Sequence, residues 1–74
     1  MAFGRIKELF IQQGRGTIVQ EDGTEIPFTR HDLQNWSDLC FYTRGQVVEF
    51  DLENSPAGPR AVRIRLPAWI YPKH

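Results

Sequence analysis

The sequence predicts an all-β domain, five short antiparallel strands closing into one small barrel. Gln13-Gly14-Arg15-Gly16-Thr17-Ile18 and Glu25-Ile26-Pro27-Phe28-Thr29-Arg30 each alternate exposed-type with buried-type residues, as strands with one solvated face do. Between them Glu21-Asp22-Gly23-Thr24 holds an Asp-Gly pair, the strongest short-range hairpin signal. Gln46-Val47-Val48-Glu49-Phe50-Asp51-Leu52 alternates most clearly of all, and a Pro- and Gly-rich turn separates it from Arg60-Ala61-Val62-Arg63-Ile64-Arg65-Leu66.

The first strand is expected over residues 3–11, with Ile6 and Phe10 as inward anchors. Leu9, Phe10 and Ile11 interrupt its alternation, the mark of a bent or bulged strand. Gln12-Gln13-Gly14 turns the chain into a second strand at 15–20, where Gly14 and Gly16 flank Arg15 and suggest a sharp bend or a close backbone approach. The third strand, 25–30, points Ile26 and Phe28 inward and Pro27 and Thr29 outward. Pro27 removes a ladder donor, so a bulge or altered pairing is expected there. A long connection follows, in which Asp32 would cap a single helical or 3₁₀ turn and no apolar periodicity supports a full helix. Its aromatic residues Trp36, Phe41 and Tyr42 are unusual for a surface link; for Trp36 and Phe41, plugging the barrel end is one reading and contacting a ligand is the other. The fourth strand directs Val48, Phe50 and Leu52 inward, and the fifth Val62, Ile64 and Leu66, ending at Pro67. Five strands, a long link between the third and fourth and a glycine-bent second strand point to a five-stranded antiparallel OB-fold barrel, with an SH3-like barrel as the structural rival.

Seventy-four residues make one domain, near the lower size limit for a single core. A lone cysteine excludes an internal disulfide, and Cys40 reads as a half-buried small hydrophobe beside Phe41. No apolar run approaches the roughly 20 residues of a membrane span, nor does a signal-peptide pattern open the chain; the expectation is a cytoplasmic domain. Two histidines, His31 and His74, and one cysteine are too few for a structural zinc site, and no nucleophile is paired with a base. Neither catalysis, a metal nor a cofactor is therefore expected. The acids look scattered over turns and outward strand positions.

The net charge of zero conceals a division. Residues 1–20 set Arg5, Lys7 and Arg15 against Glu8; residues 21–59 set Arg30 and Arg44 against eight acids; residues 60–74 carry Arg60, Arg63, Arg65 and Lys73 with no acid. Such clustering fits either a basic binding surface or ordinary solvated charge on strand faces.

The chain resembles the cold-shock domain family. Phe3-Gly4-Arg5-Ile6-Lys7-Glu8-Leu9-Phe10 through Ile18 follows, without a gap, the family's Gly-x-Val-Lys-Trp-Phe-Asn and Lys-Gly-Phe-Gly-Phe-Ile pattern. Gly45-Gln46-Val47-Val48-Glu49-Phe50 matches Gly-Gln-x-Val-x-Phe, and Gly58-Pro59-Arg60-Ala61 matches Gly-Pro-x-Ala. The resemblance spans residues 3–66. It implies a single-stranded nucleic-acid binder whose first three strands present aromatic rings to bases, each stack being worth about 1–3 kcal/mol. Here Glu8 stands at the family's tryptophan, Arg15 and Thr17 at two phenylalanines, and Pro27, Thr29 and Arg30 at the remaining stacking positions, while Phe28 matches an inward, core position. The resemblance thus implies a single-stranded RNA- or DNA-binding module with an altered, less aromatic face, contacting its ligand weakly through Lys7, Arg15, Arg30, His31 and Trp36. The alternative is a repurposed cold-shock fold serving protein interaction or self-association. That reading rests on a C-terminal extension, residues 67–74 after a domain of residues 1–66, in which Trp69, Ile70 and Tyr71 would pack on the barrel or on a partner.

Overall fold

The computed structural model describes residues 1–69. Its strands are β1 (Ala2–Phe10), β2 (Arg15–Gln20), β3 (Glu25–Thr29), β4 (Val47–Ser55) and β5 (Gly58–Arg65). They form one antiparallel sheet in the order β3-β2-β1-β4-β5. The all-β, OB-like expectation holds, but the sheet is not closed. β3 packs against β5 across a seam, and a parallel bridge between Leu33 and Ile64 spans it, with Gln34 N–H donating to Ile64 O at 2.9 Å. Ile70 and Tyr71 lie outside the described residues.

Two bulges decide which side chains reach the core. On β1, Ile6 pairs with Ile18 and Glu8 with Thr17, so Lys7 is an extra residue. One extra residue exchanges the two faces of everything that follows. Leu9, opposite Gly16, turns toward the core, and Phe10, opposite Arg15, turns outward and stays 38% exposed. The inward placement expected of Phe10 is therefore incorrect; Ile6 is inward as expected. On β5, Arg63 and Ile64 together oppose Phe50, and Arg63 takes a left-handed φ of 51°. This shift makes Ala61 and Ile64 the buried residues and leaves Val62 half-buried. Leu52 is exposed as well, against expectation, because β1 accompanies β4 only as far as the Ala2–Phe50 pair. Beyond it, β4 and β5 continue as a two-stranded ribbon.

Pro27 introduces no bulge. Gln20 N–H donates to Thr24 O and Arg30 N–H to Gly14 O, 2.8 Å each, and these bonds set the parity of an uninterrupted β2–β3 register. Thr17 and Pro27 fall at a pair that exchanges no hydrogen bonds, so β2 requires no donor from Pro27.

The core gathers Ile6, Ile18, Ile26, Phe28, Val48, Phe50, Ala61 and Ile64 from all five strands, side chains whose burial stabilises by about 1.5–3 kcal/mol for each large one. Leu33, Leu39 and Tyr42 join it from the connection between β3 and β4. That connection is more regular than expected, with 3₁₀ turns at Arg30–Asp32 and Trp36–Phe41. Asn35 caps the second, its Oδ1 accepting from Ser37 N–H at 3.3 Å. Leu39 and Tyr42, three apart as a 3₁₀ turn repeats, both face inward, whereas Trp36, at the start of the turn, and Phe41 remain 64% and 71% exposed. These two do not plug the barrel, and Cys40 is exposed rather than half-buried. Among the described residues no helix is long and apolar enough to cross a membrane.

Candidate functional site

The outer face of β1, β2 and β3 is built in three rows by their registers: Arg5, Val19 and Glu25; Glu8, Thr17 and Pro27; Phe10, Arg15 and Thr29. Beneath this face Gly16 points inward, opposite Leu9 and Phe28. A Cβ there would come within 2.6 Å of the Glu8 carbonyl oxygen and 2.8 Å of the Phe28 ring. Phe28 itself is buried, as expected of a core position.

The third row carries the free cationic end. The Arg15 guanidinium carbon lies 4.5 Å from the centre of the Phe10 ring, within the range of cation–π attraction, and Arg15 Nε donates to Gln13 Oε1 at 2.7 Å. Arg30 packs its guanidinium over Gly14, where φ is +65° and any side chain would collide with it. Neither Arg15 nor Arg30 has a carboxylate partner among the described residues. Of the residues expected to bind, Arg15 lies on the outer face, and Arg30 lies at the same end of the β2–β3 pair, over Gly14. Lys7 sits in the bulge and forms an ion pair with Glu25; the hydrogen bond it donates to that carboxylate holds its pKa above the usual lysine value. His31 is exposed in the 3₁₀ turn after Arg30, and Trp36 stands on the connection outside the sheet.

A groove of about 420 Å³ runs beside this end, with Arg15, Thr17, Pro27 and Thr29 on one wall and Ser55, Pro59 and Arg60 on the other. Asp32 at its base is 6% exposed, not at a surface turn as its sequence position suggests. It does not start the turn as a cap. Thr29 does so, and Asp32 reaches back to accept the Thr29 N–H through Oδ2 at 3.0 Å. Its Oδ1 accepts Arg60 Nη2 at 2.6 Å and Nε at 3.1 Å. This bond raises the Arg60 pKa further above its normal value and ties the turn after β3 to β5. A smaller recess of about 180 Å³, between Phe3, Val19 and Val47, lies at the far end of the face. There Arg5 is turned to the Gly45 carbonyl, 3.0 Å away.

Among the described residues, the basic C-terminal segment does not form a second patch. Arg63 bonds Asp51 at 2.6 Å, and Arg65 bonds Glu49 at 2.7 Å. With Arg60 on Asp32, each of these arginines meets an acid from the acidic middle of the chain. The charge division along the sequence becomes neutral pairing in space. Trp69 leans on Phe3, ring centres 5.5 Å apart, and stays 68% exposed. No group of three or more metal-ligating side chains occurs among the described residues.

The chain matches no model of a known protein family. Among individual proteins, it is 34% identical to the cold shock-like protein CspI of Escherichia coli K12 over 61 residues, which cover 82% of this chain and 87% of that protein. It is 34% identical to the cold shock-like protein CspA of Stigmatella aurantiaca over 65 residues, 88% of this chain and 96% of the relative. The chain belongs to the cold-shock protein family. The probable cold shock protein A of Mycolicibacterium smegmatis, 32% identical over 65 residues, extends the same result.

Sequence reasoning missed two parts of this site. Phe10 was hidden by the Lys7 bulge, whose signal was the unbroken Leu9-Phe10-Ile11 run. The Asp32–Arg60 pair, separated by 28 positions, had no local signal.

Proposed function

We propose that this protein binds single-stranded nucleic acid, RNA or DNA, on the outer face of β1–β3, with cations leading and ring stacking reduced. Family membership supports the ligand class. The observation that carries the altered character is that Arg15, on the outer face, and Arg30, over Gly14 at the same end of the β2–β3 pair, both lack a carboxylate partner among the described residues. Arginine suits this role because its planar fork engages phosphate oxygens and also lies flat on bases. Lys7 contributes less, being engaged by Glu25. His31 and Trp36 are placed to meet a strand that continues past Arg30 along the connection. Glu8, in the middle row, opposes phosphate approach there and steers the strand toward the arginine end.

Counterion release makes cation-led binding steeply dependent on salt, with log K falling by about 0.7 per phosphate contacted for each unit of log salt. A titration of pyrimidine-rich RNA and DNA oligonucleotides by anisotropy at low and moderate salt tests this. Saturable binding at low salt that fades as salt rises is the expected result. Absence of binding at low salt would remove nucleic acid as the ligand.

A further inference from the structure

The geometry points to Phe10 and Arg15 as one layered stacking position for a nucleobase, with the guanidinium as the middle layer and Gln13 holding it in place. This assignment rests on the nucleic-acid reading of the same face and names the group of the ligand that the face recognises.

The family pattern quoted above has an asparagine where this chain has Phe10, and rings where it has Glu8, Arg15 and Thr17. The aromatic group is therefore relocated to the outermost row of β1. The extra residue at Lys7 is what turns it to the outer face, directly opposite Arg15. The guanidinium then sits 4.5 Å above the ring centre. Its Nε–H is committed to Gln13 at 2.7 Å, which limits rotation of the side chain. One side of the guanidinium is on Phe10, and Arg15 as a whole is exposed, so the opposite side is available to a ligand at the mouth of the groove that Arg15 lines. An arginine plane is an effective stacking surface for an unpaired base, and the electron-rich ring beneath holds the cation where it lies. A base settling there would make the third layer. A lysine in the same place would retain the charge and lose the plane.

The test compares oligothymidine with an abasic deoxyribose-phosphate oligomer of equal length, both at low salt, binding to the wild type, Arg15→Lys and Phe10→Leu. Melting curves establish that each variant is folded. The wild type is expected to prefer oligothymidine by about tenfold, one stacked base in free-energy terms. Both variants should lose most of that preference while holding the abasic oligomer within about twofold, since charge alone governs that ligand. Equal wild-type affinity for the two oligomers would overturn the stacking position and leave cation-led binding intact. So would a preference that survives in Phe10→Leu, or an Arg15→Lys variant weakened equally toward both. Wild-type protein that binds neither oligomer would instead overturn the nucleic-acid reading itself, and this assignment with it.

Discussion

The outer face of β1–β3 and the outer face of the β4–β5 ribbon use the same residue types to opposite ends. On the ribbon, Arg63 and Arg65 are matched to Asp51, Glu53 and Glu49 across the strands. On the β1–β3 face, Arg15 rests on an aromatic ring and Arg30 on a glycine. Paired surface charges contribute little to stability, commonly below about 1 kcal/mol each, and they cancel as an attractant. A guanidinium supported by a ring or a bare backbone retains its charge for an incoming anion. What distinguishes the two regions is therefore the nature of the neighbour, which a count of basic residues along the chain does not reveal.

The largest expected effect tests whether the β1–β3 face is a surface laid over a core. Phe28→Ala should cost about 3–5 kcal/mol in urea unfolding, because the ring is buried beneath Gly16. Phe10→Ala should cost less than about 1 kcal/mol, its ring being part of the surface. Similar losses from the two would dissolve the distinction between inner and outer rings. Next, Arg15→Ala should weaken oligonucleotide binding about tenfold and Arg63→Ala by less than about twofold. A large loss from Arg63→Ala would move the binding surface to the ribbon. Trp36→Ala should fall between them; if it exceeded Arg15→Ala, the aromatic residues of the connection would be the principal contact.

A smaller effect sharpens the comparison from the ribbon's side. Arg63 holds a left-handed φ of 51° at its bulge, a conformation that costs a residue with a side chain about 1–2 kcal/mol and glycine much less. Arg63→Gly relieves this and loses the surface ion pairs with Asp51 and Glu53, so the net change in melting stability should stay within about 1 kcal/mol. The smallest effect comes with acid. The hydrogen bond from Arg63 holds the Asp51 carboxyl below its usual value of 3.8, and Thr24 N–H does the same for Asp22. A carboxyl depressed in the folded state binds its proton more readily when unfolded. Its contribution is complete above the ordinary carboxylate pKa and is lost as pH falls through the lower folded value. Melting curves recorded downward from neutral pH should therefore decline below 3.8, and Asp51→Asn should shrink that decline.

Most of the fold was legible because period-2 alternation and the Asp22-Gly23 turn are local signals. The strand limits of β2 and the inward pair Ile26 and Phe28 needed nothing more. Legibility failed where an extra residue changes the phase of a strand. The Lys7 bulge reversed Phe10, and the Arg63–Ile64 bulge replaced Val62 with Ala61 in the core. Alternation specifies which residues share a face only until the first bulge. The connection misled for a different reason: its 3₁₀ turns follow a period of three, so the inward Leu39 and Tyr42 fit neither a period of two nor one of 3.6. In the candidate site, the Gln13 partner of Arg15 is local, but its contact with Phe10 and the seat of Arg30 on Gly14 form only when the strands pair, so the sequence did not show them.

The unclosed sheet also bears on how the protein survives at high concentration. A strand that offers a row of vacant backbone donors invites another chain to pair with it, the usual beginning of aggregation. The β2–β3 parity turns the backbone groups of Glu25, Pro27 and Thr29 away from β2, toward the seam. Pro27 has no hydrogen to donate, and the donor of Thr29 is already taken by Asp32. Glu25, whose side chain is charged, keeps the remaining donor of that row. The proline that looked like a defect in a paired strand thus blunts the edge that the missing β3–β5 ladder would otherwise leave adhesive.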